Sequence, residues 1–414
     1  MRVSGFQELR YHSLLIKNVN LQTSEVNSVN FPLYNTRHFA EMLHDHFHWN
    51  RARIYCIVYL IIGMIQMGTV NLTKIATTFP GNTKPSSDYK RLQRLFCQFS
   101  LDLNQVARFI AGLVPLLQFK LTLDRTNWKC GDSNINYLVL GIIYRGSAFP
   151  ILWVALDKKG NSNTQERIEL MQRFLMIFGA QMIACLFADR EFVGIKWFGY
   201  LIENNIKFVI RIKKNTQISN SRGILVRAEN LFRGLPRGSA LVLSGKRTVW
   251  GHSLYIIGLK MADGEFVIVV TQEQPEIALE NYKERWPIET LFICLKTRGF
   301  DLESTHMTDP KRLEKLMVFL AIAFSWAHIV GEWHHEVKPI KIKKHGRPAQ
   351  SLFRCGLDYL RGCLFHDQES ARQCAFHQAL ESLFKRLGWS PQNRSFSPPM
   401  GTPVGNNLIP NSLG

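Results

Sequence analysis

Asp124, Asp189 and Glu289 are the residues through which this chain could do chemistry. Asp124 closes the apolar run Phe119-Lys-Leu-Thr-Leu-Asp124, and Asp189 closes Met182-Ile-Ala-Cys-Leu-Phe-Ala-Asp189. Glu289 ends Tyr282-Lys-Glu-Arg285-Trp-Pro-Ile-Glu289 and precedes Lys296 by seven residues. Two strand-end aspartates and a helical glutamate suit hard divalent cations, because magnesium prefers carboxylate and water oxygens. Two such ions roughly 4 Å apart activate an attacking oxygen and relieve charge on the leaving oxygen of a phosphodiester. Asp124 would bridge the ions, with Asp189 and Glu289 holding one each. Taken singly, each signal has a plainer reading. A strand-end Asp commonly caps a turn, and helical Glu, Arg and Lys commonly form surface ion pairs. Their joint occurrence, in order and on the right elements, carries the metal reading.

Around Glu289, Tyr282, Arg285 and Lys296 fall at spacings that one helix face can present. Arginine clamps a phosphate through two N–H groups, lysine adds a point charge and tyrosine donates one hydrogen bond. Pro287 complicates that face, since proline inside a helix costs about 3 kcal/mol. Either the helix begins near Trp286 or its backbone kinks there.

The elements that must position these groups are legible from period and turn chemistry. Residues 1–41 are polar and poorly periodic, and are expected to be a loose extension. Residues 42–115 read as a helical DNA-binding module. In it, Ser86 is the expected N-cap of a helix with Tyr89, Leu92, Phe96 and Phe99 on one face and Lys90, Arg91 and Arg94 on the other. A short helix, a turn and this basic helix have helix-turn-helix character, against an ordinary helical bundle with a wet basic face. Residues 116–330 form the predicted catalytic core. Its strands are Phe119–Asp124, Tyr137–Tyr144, Phe149–Leu156, Met182–Ala188 and Phe208–Ile212, with helices at Thr164–Phe178 and Trp197–Glu203. That order predicts the mixed sheet of an RNase H-like fold. Residues 213–275 interrupt it as a β-rich insertion, with Ala262-Asp263-Gly264 as a hairpin turn. Residues 331–388 are a basic linker and helical segment, and 389–414, with five prolines and one charge, are expected to be disordered.

The partner follows from charge. The 414 residues carry a formal net charge of +19, which a polyanion would relieve. Between Asn204 and Lys260 there are eleven basic residues and one acid, Glu229. That lopsidedness predicts phosphate contact. The eight cysteines are scattered without a Cys-x-x-Cys pair, which fits a reducing compartment and argues against a zinc ribbon. His44 and His48, four apart, form a candidate zinc pair whose plainer reading is solvated or DNA-facing histidines. The apolar stretch Ile54–Met67 is too short to span a bilayer, so a membrane partner is not expected. No signal peptide is read, and the expected location is the cytoplasm, at the nucleoid.

These residues resemble the DDE transposases of bacterial insertion sequences, in the group marked by a Y-(2)-R-(3)-E-(6)-K signature (the insertion sequence 4 type). Tyr282, Arg285, Glu289 and Lys296 fit that spacing without a gap. Leu123-Asp124-Arg-Thr-Asn127-Trp128 is similar to the first aspartate motif, and Ala188-Asp189-Arg190-Glu191-Phe192 to the second. The resemblance covers about residues 42–360. It implies an RNase H-like core with the β insertion between Asp189 and Glu289, and helical segments on either side. It implies two magnesium ions, with manganese able to substitute, on Asp124, Asp189 and Glu289. It implies phosphate contacts by Tyr282, Arg285 and Lys296. The partners implied are duplex DNA, as terminal inverted repeats and as target, and a second copy of the chain in a synaptic homodimer. Relatives stack a flipped base on a tryptophan of the insertion. Trp250 is the candidate here, with core packing as the alternative. The first 41 residues and the tail from about 365 do not look like the family. The expected function is cut-and-paste DNA transposition. The alternatives are a decayed DNA-binding relic or repressor and a metal-dependent nuclease that does not join strands.

Overall fold

The computed structural model describes residues 32–365 and 369–390. Five helices come first: α1 (Pro32–Phe47), α2 (Arg51–Met67), α3 (Leu72–Ala76), α4 (Pro85–Gln98) and α5 (Leu103–Gly112). Three antiparallel strands follow, β1 (Phe119–Cys130), β2 (Ser133–Tyr144) and β3 (Ser147–Ala155). Then come α6 (Thr164–Phe178), β4 (Ile183–Ala188), α7 (Ile195–Glu203) and β5 (Phe208–Ile212). The next strands are β6 (Gln217–Ser219), β7 (Leu225–Arg227), β8 (Ala240–Val242), β9 (Arg247–Val249), β10 (His252–Lys260) and β11 (Phe266–Thr271). The chain ends in α8 (Ala278–Lys283), α9 (Pro287–Lys296), α10 (Pro310–Val337), α11 (Leu352–Phe365) and α12 (Glu369–Leu387).

Local chemistry explains many boundaries. Asn50 accepts from the Ala52 N–H at the start of α2, and Gly68, at φ 65°, ends it in the left-handed conformation. Asn163 and Glu166 form a reciprocal capping box at the start of α6. Arg145 and Gly146, both at positive φ, make the two-residue turn between β2 and β3.

The strands form one mixed sheet in the order β3-β2-β1-β4-β5-β11-β10-β9-β6-β7, with β8 beside β10. β1, β4 and β5 run parallel, and the other pairings are antiparallel. One face packs on α6, where Phe119 meets Phe178 edge-on at 6.0 Å between ring centroids. On the other face Phe187, Val209, Ile257 and Val269 form a smaller core with Ala278 of α8. α10 is long and apolar enough to cross a membrane by length and composition, yet 89% of its apolar window is buried within the fold. It is the central helix of the helical layer.

Several expectations need correction. The predicted loose extension is helical from Pro32 onward, and its Phe39 is fully buried. The rest of that extension lies outside the described residues. The predicted tail begins with Trp389, which is buried and donates to Asp45 at 2.9 Å; positions 391–414 lie outside the described residues. Helix α4 starts at Pro85 after Lys84, not at a Ser86 cap. Strand β1 does not end at Asp124, because its pairing with β2 continues to Cys130 opposite Ser133. The β-rich insertion is continuous with the core sheet, since β11 pairs with β5 and so covers an edge that would otherwise stay open.

Candidate active site

The parallel pairing of β1 and β4 runs out at Leu123 opposite Ala188. Asp124 and Asp189 are the next residue on each strand, so both leave the carboxyl end of the same pair. Asp124 is therefore a strand-end residue with respect to β4 while lying mid-strand with respect to β2, where it faces Val139.

Glu289 arrives from the far side of the insertion. Pro287 is the first residue of α9, where its missing N–H costs nothing. Short turns carry the chain from α8 into α9: Arg285 N–H donates to the Tyr282 carbonyl at 3.1 Å and Glu289 N–H to the Trp286 carbonyl at 3.0 Å. The helical path is thus interrupted without losing its facing. Tyr282, Arg285 and Glu289 all turn toward the aspartates.

Asp124 and Glu289 meet on Arg285, and Asp189 is held beside them by Tyr282. Its Nη1 donates to Asp124 Oδ2 at 2.9 Å, and its Nη2 to Glu289 Oε1. Tyr282 Oη donates to Asp189 Oδ1 at 3.2 Å, and Arg211 lies 4.0 Å from the same oxygen. Burial pushes the Asp124 carboxyl up to about 6, against the Arg125 backbone N–H and the Arg285 cation, which favour its charged form. Burial also raises the Tyr282 hydroxyl, helped by Asp189, so it stays protonated as a donor. Arg285 is pulled down by burial, but Tyr282 and the surrounding carboxylates outweigh that and hold it charged.

By type, these donors are the ones a hard cation takes. Three carboxylates converge on a region already organised about a positive group, and magnesium makes the same electrostatic demand. Among the described residues, no group of three or more His, Cys, Asp and Glu side chains is arranged so that it could hold a metal ion as it stands. The Arg285 guanidinium takes the space between Asp124 and Glu289.

The remaining candidates are distributed. Lys296 is not with the carboxylates. Its Nζ donates to the Asn127 carbonyl at 2.8 Å, pairs with Glu303 at 2.9 Å and sits 5.3 Å over the Trp128 ring. Trp250, between β9 and β10, is half-buried with its ring edge-on to Phe198 of α7 at 5.3 Å, so it packs on the core. The His44–His48 pair gains no zinc character: α1 ends at Phe47, His48 turns to φ 51°, and the rings stand 6.3 Å apart.

Sequence reasoning missed two neighbours. Arg125 pairs with Glu191 at 3.2 Å and donates to Asn136 and Asn161 at 3.0 Å each, which clasps the strand at Asp124 to the turn after Asp189. The two aspartate motifs held both partners, but their pairing has no local signal. Trp286 is 62% exposed between Arg285 and Pro287.

No curated protein matches the chain in sequence. Among solved structures, the chain is similar to the cryo-EM structure of the piggyBac transposase synaptic complex with hairpin DNA. The identity is 13% and the TM-score 0.43, over 79% of this chain and 73% of that one. The family model described as the transposase DDE domain matches residues 118–326, which spans β1 through most of α10 and contains all three acids. That match takes in just over half of the sequence, and the chain belongs to the DDE transposase family.

Proposed function

We propose that this transposase moves an insertion sequence by cutting and pasting. It binds the terminal inverted repeats, cleaves the DNA and joins the freed 3′ hydroxyls to a target, working as a homodimer that brings two ends together. The reading takes the core as RNase H-like, on the strand order β3-β2-β1-β4-β5. It places the chain in the Y-R-E-K group, on Tyr282, Arg285, Glu289 and Lys296. The observation that carries it is the convergence of Asp124, Asp189 and Glu289 on Arg285 and Tyr282 from separate parts of the chain.

In this reading Asp124, Asp189 and Glu289 hold two magnesium ions, with manganese able to substitute. Bound there, the ions would supply an activated oxygen and charge relief on the leaving oxygen. The chain's own groups do the rest. Tyr282 orients Asp189 through its hydroxyl. Arg285 offers a planar two-pronged donor to a phosphate, and Lys296 offers a point charge further along β1. Helix α4, with Lys90 and Arg94 exposed, serves DNA-end binding.

A strand-joining assay tests the proposal. The full chain, with magnesium, is given a duplex carrying the inverted repeats that flank its gene and a supercoiled plasmid. Plasmid joined to that duplex is expected. Cleavage without joining would make the protein a nuclease, and neither product would leave a DNA-binding relic.

Tyr282→Phe removes only the hydroxyl that holds Asp189. Cleavage is expected to slow about tenfold while stability falls by about 1 kcal/mol. Single-turnover rates and urea unfolding separate the two effects. An unchanged rate would deny Tyr282 a positioning role.

A further inference from the structure

Between α10 and α11 the chain forms a tight hairpin. Ile342 bridges Pro348 across it, Lys343 N–H donates to the Arg347 carbonyl at 2.9 Å, and Ala349 N–H to the Lys341 carbonyl at 2.8 Å. Every residue from Lys341 to Gln350 is exposed. From Lys338 to Pro348 there are five cations, Lys338, Lys341, Lys343, Lys344 and Arg347, and no acid. None of the five has an ion pair among the described residues. In the β-rich insertion, by comparison, Lys214 and Arg227 pair with acids. Backbone hydrogen bonds therefore hold five like charges close together with nothing to neutralise them.

The hairpin stands apart from the acids. Asp124 faces Val139 on β2, and β2 ends at Tyr144, which donates to Glu332 at 3.0 Å. Helix α10 continues to Val337 before the hairpin begins.

We propose that this hairpin is a second, sequence-independent grip on duplex DNA, remote from the carboxylate site. It rests on the DNA reading above for the presence of DNA. The partner follows from composition. Single-strand binders add aromatic platforms on which bases stack, and residues 338–350 contain no Phe, Tyr or Trp. A membrane-surface element sets a broad apolar face against its basic one, and the turn itself offers only Ile342. What remains is a compact set of point charges matched to a phosphate backbone.

Binding of a random-sequence duplex by the full chain, titrated with salt, tests this. K341Q/K343Q/K344Q/R347Q alters only exposed side chains. It is expected to lower the slope of log affinity against log salt by about 3.6 and to weaken binding at least tenfold, since each phosphate that the protein neutralises adds about 0.9 to that slope. Replacing the three lysines by arginine should preserve both. Unchanged slope and affinity in the glutamine variant would overturn the hairpin alone, provided the unaltered chain binds. No duplex binding by the unaltered chain would sink this inference together with the transposition reading. Preference for a single strand of equal length, or loss confined to phosphatidylserine vesicles, would overturn the choice of partner.

Discussion

Replacing Asp124 by asparagine is expected to lower DNA cleavage by on the order of 10³-fold while end binding persists. Asparagine keeps the shape of the side chain and discards its charge. A carboxylate at this depth is held against its own desolvation, which is why burial pushes its titration up to about 6. Carboxylates perturbed in this way cluster at functional sites. Fold loss should not confound the result, because Arg285 keeps its contact with Glu289. Gel-based cleavage rates, end-binding isotherms and thermal denaturation on the same preparation decide the matter. Cleavage within a few-fold of the unaltered protein would remove Asp124 from the proposed chemistry.

The second large effect is on stability. Helices α10 and α11 cross with Gly331 and Gly356 at the contact. A methyl group on Gly331 would collide with the Leu352 carbonyl oxygen and stand 2.8 Å from the Gly356 backbone nitrogen. A methyl on Gly356 would collide with the Ala327 carbonyl oxygen. These are backbone atoms, so no rotamer change can relieve the clash, and the helices must move apart. Gly331→Ala is expected to cost about 3 kcal/mol. Gly362 in α11 supplies the control, since a methyl there meets nothing within 4 Å. Gly362→Ala should be neutral or stabilising by up to about 1 kcal/mol, because alanine is the better helix former. Urea midpoints of the two variants test the crossing. Equal midpoints would mean the helices are not closely packed there.

Function and fold were legible in the sequence to different depths. The acids, the Tyr282–Lys296 spacing and the hairpin at Ala262-Asp263-Gly264 were all local signals. Each depends on residues within a few positions of one another, where helical and strand periods and turn preferences act directly. Pro287 was readable only as a choice between a helix start and a kink, and α9 begins there.

Side-chain chemistry along the chain thus determined which residues could carry a metal-dependent reaction and what partner the charge required. Tertiary structure decided what they touch. Arg285 reaches Asp124 across 161 positions, and no periodicity encodes such a pairing. The length of β1, the docking of β11 on β5, the burial of Trp389 and the helix from Pro32 also depend on partners supplied by distant segments. A residue's pattern reports whether it wants to be buried. Only chain closure, with its entropy and its competition among apolar faces, settles against what.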